Sequence, residues 1–95
     1  MELKNNDVIE MNGTTYIIVE TMETESKDNY VIALNIKNMV SEIFKEEKLE
    51  DKYFLKKVAN DYLETKLRSV FNEQIKSRLL RDHNINYIVD DEENV

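Results

Sequence analysis

The chain contains one glycine, Gly13, and it follows Asn12 between two β-prone runs, DVIEM (7–11) and TTYIIVETM (14–22). A two-residue hairpin turn that matches the twist of its strands needs positive φ at both central residues. Asn tolerates that conformation and Gly adopts it freely. Asn-Gly in this setting therefore predicts an antiparallel hairpin near the start of the chain. A β-meander is the simplest continuation, because more strand-like runs follow at short intervals.

The second run places Tyr16, Ile18 and Glu20 on one face and Ile17, Val19 and Thr21 on the other. Both faces are apolar near the middle, as expected for a strand covered on two sides in a small barrel or a covered sheet. The polar stretch ETESKDN offers Asp28-Asn29 as turn formers. YVIALNIKN (30–38) reads as a third strand.

The next segment, SEIFKEEKLEDKYFLKKV (41–58), fits two patterns imperfectly. As a helix, its stripe begins at Val40, Ile43 and Phe44, breaks at Glu47, Lys48 and Asp51, and resumes at Phe54, Leu55 and Val58. As a hairpin, strands 41–49 and 52–58 flank Glu50-Asp51, but Lys45 and Glu47 interrupt the alternation between Ile43 and Leu49. Local propensity in EEKLEDK favours helix. The pattern alone leaves both readings open.

The succession NDVIEMNGTTYIIVET, YVIALNIKN and EIFKEEKLEDKYFLKKVANDYLETKL resembles a family of short, uncharacterised proteins from low-GC Gram-positive bacteria and their phages. The resemblance covers roughly residues 3–75. It implies that 41–58 is a hairpin followed by a C-terminal helix opened by an acidic cap. It carries no catalytic motif and brings no known activity. The longer helix and the segment after His83 depart from the family pattern.

Asp61 and Glu64 have the spacing of a capping box. Leu63, Leu67, Val70, Phe71, Ile75 and Leu79 then form a stripe at helical spacing. A helix over 61–83 is about 34 Å long, so part of the stripe is expected to overhang a narrow sheet. Asn84 is a plausible stop, Ile85, Tyr87 and Val89 alternate as a short last strand over 85–89, and residues 90–95 form an acidic tail. The expected fold is α+β in one domain over 1–95. It has an antiparallel meander of about five strands, with a small SH3-like barrel as its closed form, one long helix and a short terminal strand.

Charge and composition narrow the function classes. The chain has 95 residues and a net charge of −7, which disfavours general affinity for nucleic acid. Acid gathers in residues 1–40 and in the tail, while the middle is close to neutral. The Asn-, Lys- and Ile-rich, Ala-poor usage is that of AT-rich codons, as in a low-GC bacterium or its phage. Cysteine is absent, so there is no disulfide framework and no thiolate metal site. No apolar run reaches the ~18 residues of a membrane span, and MELKNNDVIE lacks the pattern of a signal peptide. A cytoplasmic protein with no membrane association is the expectation.

Little in the sequence points to catalysis. His83 is the only histidine and has no partners at triad or zinc spacing. No glycine-rich phosphate loop is possible with one glycine. No cofactor or metal is expected, and the chain reads as a non-enzymatic protein-binding module encoded by a phage or mobile element. Its candidate partner-binding residues are two acidic patches, Glu20, Glu23, Glu25 and Asp28 at a hairpin tip and Asp90, Asp91, Glu92 and Glu93 in the tail. Such patches can imitate phosphates and inhibit a host nucleic-acid-binding or defence protein, or can simply be solvated surface. A homodimer through Phe71, Ile75, Leu79, Ile85, Tyr87 and Val89 is the first alternative. Nucleic-acid contact through Lys76, Arg78 and Arg81 is the second. The aromatic residues Tyr16, Tyr30, Tyr53, Phe54, Tyr62, Phe71 and Tyr87, seven of the eight in the chain, are expected to pack in the core more than to stack on bases.

Overall fold

Asn12 and Gly13 both take positive φ, 53° and 77°. They join strand β1 (Val8–Met11) to β2 (Thr14–Glu23) with Met11 opposite Thr14. The computed structural model describes residues 3–82. After the first hairpin come β3 (Asn29–Asn35), β4 (Val40–Leu49), β5 (Lys52–Lys57) and helix α1 (Asp61–Asp82). Each strand pairs antiparallel with the next, in the order β1-β2-β3-β4-β5. The sheet is a meander curled into a half-barrel, covered by one C-terminal helix. The expected α+β architecture is present, and residues 41–58 form a hairpin around Glu50-Asp51.

Most strand ends fall within one residue of the sequence reading, and two features depart from it further. The third strand ends at Asn35, short of residue 38. Asn35 Oδ1 accepts from the Lys37 amide at 2.9 Å and Asn38 Oδ1 from the Val40 amide at 3.0 Å. Asparagine side chains that bond the backbone two residues on compete with the ladder and turn the chain. The helix cap is Asn60, not Asp61. Its Oδ1 accepts from the Leu63 amide at 2.9 Å, its carbonyl accepts from the Glu64 amide at 2.8 Å, and Glu64 turns away to Arg68 at 2.9 Å. Asp61 occupies the first helical position, where it still complements the helix dipole.

Both faces of the sheet are apolar, and each has its own core. On the outer face, Tyr30, Ile32, Ile43 and Val58 pack against Leu67 and Phe71, with Val19, Met22, Leu63 and Ile75 around them. The helix seats Leu63, Leu67, Phe71 and Ile75, one residue per turn, on that face. Val70 and Leu79 lie beside the seam and are each 44% exposed, so the apolar stripe is narrower than the sequence suggested. On the inner face, Ile18, Val31, Ala33 and Phe44 form the second core, joined by Leu3, Ile9, Met11, Tyr16 and Leu55.

A bulge in β2 controls which side chains reach which face. The register with β3 shifts between Ile18 and Glu20. Ile18 lies opposite Ala33 on the inner face, whereas Glu20 lies opposite Ile32 and so faces the helix with Val19. Simple alternation puts Glu20 beside Ile18; the extra residue sends it to the other side.

Candidate functional site

The bulge removes Glu20 from the acidic hairpin tip. Glu20 is 4% exposed and lies under α1, where Arg78 Nε donates to Oε2 at 3.0 Å and Asn5 Nδ2 donates to Oε1 at 2.7 Å. This pairing also commits Arg78 to the helix–sheet joint, so Arg78 is not a free nucleic-acid contact. Of the other tip residues, Glu23 pairs with Lys27 at 3.5 Å and Asp28 with Lys45 at 3.7 Å. Asp28 also accepts from Ser26 at 3.2 Å. The tip is therefore largely neutralised locally, and Glu25 is the one acid of the four without such a partner among the described residues.

The self-association residues divide in the same way. Phe71 is fully buried and Ile75 packs against the outer core, so neither is available to a second copy. Leu79 is exposed. Lys76 and Arg81 lie on exposed helix surface, and Arg81 pairs with the adjacent Asp82 at 3.6 Å. Ile85, Tyr87, Val89, the acidic tail Asp90–Glu93 and His83 lie outside the described residues.

The sequence did not single out the inner face, where charge, cavity and free backbone edges coincide. Two carboxylates point there from β4, four residues apart. Glu42 is fully partnered: Lys57 Nζ lies 3.0 Å from Oε1, and the Tyr16 hydroxyl donates to Oε2 at 3.0 Å. The Lys57 hydrogen bond, helped by Tyr16, holds the Glu42 carboxyl below the usual carboxylate range against the opposing effect of burial. Tyr16 packs edge-on against Phe44 with ring centres 5.4 Å apart. Burial, followed by the neighbouring carboxylate, raises its phenol above the ordinary value. The same carboxylate raises Lys57. This trio ties β2, β4 and β5 together across the inner face.

Glu46 is the counterpart without a partner. It is 8% exposed, and its Oε2 is fully buried with no hydrogen-bond partner among the described residues. Lys48, two residues on and on the same face, lies 5.5 Å from the Tyr53 ring centre instead. Glu46 borders a cavity of about 440 Å³. Leu3, Ile9, Met11 and Asn12 line it from the β1 side, and Tyr53, Phe54 and Leu55 from the β5 side. The two sheet edges thus approach the same space without pairing. A somewhat larger depression of about 510 Å³ on the helix flank has polar walls, and its Arg68 is already bound to Glu64 and Ser41.

The seam between β1 and β5 therefore combines three properties. Among the described residues it has an apolar hollow, a buried carboxylate oxygen with spare acceptor capacity, and strand edges whose backbone groups are unpaired within the sheet. The β5 hairpin also exposes Leu49, Tyr53 and Phe54. Among the described residues no three His, Cys, Asp or Glu side chains converge as a metal site. No helix there is long and apolar enough to cross a membrane. No family model matches the chain, and no curated protein or solved structure matches it significantly.

Proposed function

We propose that this chain is a non-enzymatic protein-binding module that receives an extended segment of its partner at the seam between β1 and β5. The observation that carries this reading is the open half-barrel itself: among the described residues β5 pairs only with β4 and leaves its outer edge unpaired. A free strand edge is a template for a further strand. Tyr53 and Phe54, each nearly half exposed beside that edge, supply the aromatic anchors common at interfaces. The sequence supports a binding role over catalysis, with one histidine, no cysteine and one glycine.

An AT-rich origin in a phage or mobile element of a low-GC host remains part of the proposal and rests on composition and the family resemblance. Inhibition of a host protein by acidic mimicry is a weaker part, because Glu20 is buried and Glu23 and Asp28 are paired. The test is a random-peptide library panned against the protein, with selected peptides mapped by amide chemical shifts and hydrogen exchange. Peptides that bind as strands should perturb and protect the amides of Lys52–Lys57. Binders that map to the helix or the β2–β3 turn would refute the seam reading. Sedimentation at increasing concentration checks whether a second copy takes the same edge.

A further inference from the structure

We propose that the seam cavity is a specificity subsite for a basic side chain of the partner, with its cationic head on Glu46 Oε2 and its aliphatic stem along Leu3, Ile9, Met11 and Leu55. This rests on the protein-binding reading above and adds what the seam selects.

A buried carboxylate oxygen is ordinarily hydrogen-bonded, because an unpaired one loses its hydration without replacement. The described residues obey that rule at two other acids of the sheet, Glu20 on the helix side and Glu42 on the inner face, which makes Glu46 the exception. Glu20 takes Arg78 and Asn5, and Glu42 takes Lys57 and Tyr16. Among the described residues Glu46 takes nothing at Oε2, although Lys48 stands on the same face within two residues. Glu46 lines an apolar hollow of about 440 Å³ between the two sheet edges, and its enclosed Oε2 comes within reach of a group in that hollow by rotation of the carboxylate. A group that satisfies it must carry N–H donors and positive charge, and it must reach past apolar walls. Lysine and arginine do this by burying an alkyl stem beneath a charged head. A neutral donor would satisfy the hydrogen bond and leave the charge uncompensated.

The test uses n-butylguanidinium as the probe and N-butylurea, of the same shape and neutral, as its control. Binding is followed by amide and methyl shifts. The cation should bind saturably, move the signals of Ile9, Met11 and Leu55, and exceed butylurea by about 10-fold or more, the ratio expected for one charge-assisted hydrogen bond. Glu46→Gln should erase that preference, and Glu42→Gln, which alters an acid already partnered, should leave it. If Glu46→Gln does not fold, the comparison of the two probes on the unaltered protein still decides. Equal binding of the two probes, or a preference that survives Glu46→Gln, would overturn the subsite. Peptides that dock on β5 without enrichment in Lys or Arg would overturn it too and leave the protein-binding reading standing. Glu46-dependent cation binding without any peptide on β5 would keep the subsite and remove the partner strand.

Discussion

The Glu20–Arg78 pair is the sharpest quantitative consequence of the fold, because its two ends differ in access to water. The Glu20 side chain is 6% exposed and the Arg78 side chain 29%. Removing Arg78 leaves a buried carboxylate with Asn5 and the Thr21 amide as its remaining donors, the latter at a long 3.4 Å. Breaking a buried pair from one side costs about 3–5 kcal/mol when the orphan is fully enclosed. Asn5 remains as a good donor and the arginine is partly solvated, so Arg78→Ala should cost about 2–3 kcal/mol. Removing charge from the other end should cost less. In Glu20→Gln the amide can still accept, and Arg78 can turn toward solvent, so a loss of about 1 kcal/mol is expected. The double variant should lose less than the sum, with a coupling of about 1–2 kcal/mol. Urea unfolding followed by circular dichroism measures all four corners of the cycle. Losses that add within about 0.5 kcal/mol, or an Arg78→Ala as stable as the parent, would refute the burial of this pair beneath the helix.

Phe71→Ala should cost about 3–5 kcal/mol in the same unfolding assay, whereas Val70→Ala, one residue away and half out of the seam, should cost well under half of that. Asn60→Ala should lose about 1 kcal/mol through the cap, and Asp61→Ala less, which separates the cap from its acidic neighbour by denaturant midpoint. Met39 holds φ at 61° on an exposed turn, so Met39→Gly should raise stability by about 0.5–1 kcal/mol, the left-handed strain relieved less the entropy of glycine. The Tyr16–Glu42–Lys57 trio should give a stability plateau near neutral pH that declines on both sides. Glu42, depressed in the fold, stabilises above its unfolded value of 4.5, and this is lost as pH falls through the folded value. Lys57, raised in the fold, stabilises fully below 10.5, and this is lost as pH rises through the folded value. Tyr16 resists ionising when folded, so stability also falls above 10.0. Glu42→Gln should flatten the acid limb in thermal melts across pH.

Features governed by local chemistry were legible in the sequence. Asn12-Gly13 specified the first turn because few residue pairs accept positive φ twice, and the helix stripe specified α1 because four apolar residues recur once per turn. The other corners gave weaker signals. Lys27, Met39 and Glu50 also hold positive φ, at 70°, 61° and 58°, without being glycine or asparagine. Pairing imposes those conformations from outside, so residue type does not announce them. The hairpin over β4 and β5 illustrates the same point. EEKLEDK prefers helix locally, but Ile43 has Ile32 opposite it and Phe44 has Val31, and burial on the two faces of a curled sheet outweighs propensity.

The candidate site was harder to read because it depends on parity and curl, both properties of the assembled sheet. Glu20 and Glu46 look alike in the sequence, as acids inside β-prone runs. One extra residue in β2 turns Glu20 toward an arginine 58 positions away, whereas unbroken alternation in β4 leaves Glu46 facing the hollow. Leu3, Ile9 and Met11 come from one end of the meander and Tyr53 and Leu55 from the other, so their common cavity exists only once β1 and β5 have curled toward each other. A closed barrel would pair these edges and fill the space. Here β1 is four residues long and β5 six, and both stop short of the ten-residue strands β2 and β4. Short edge strands limit unwanted pairing, and among the described residues they leave the β1 and β5 edges unjoined. In the proposed mechanism the unpaired carboxylate at that gap supplies what bare edges lack, a preference among the strands that could fill it.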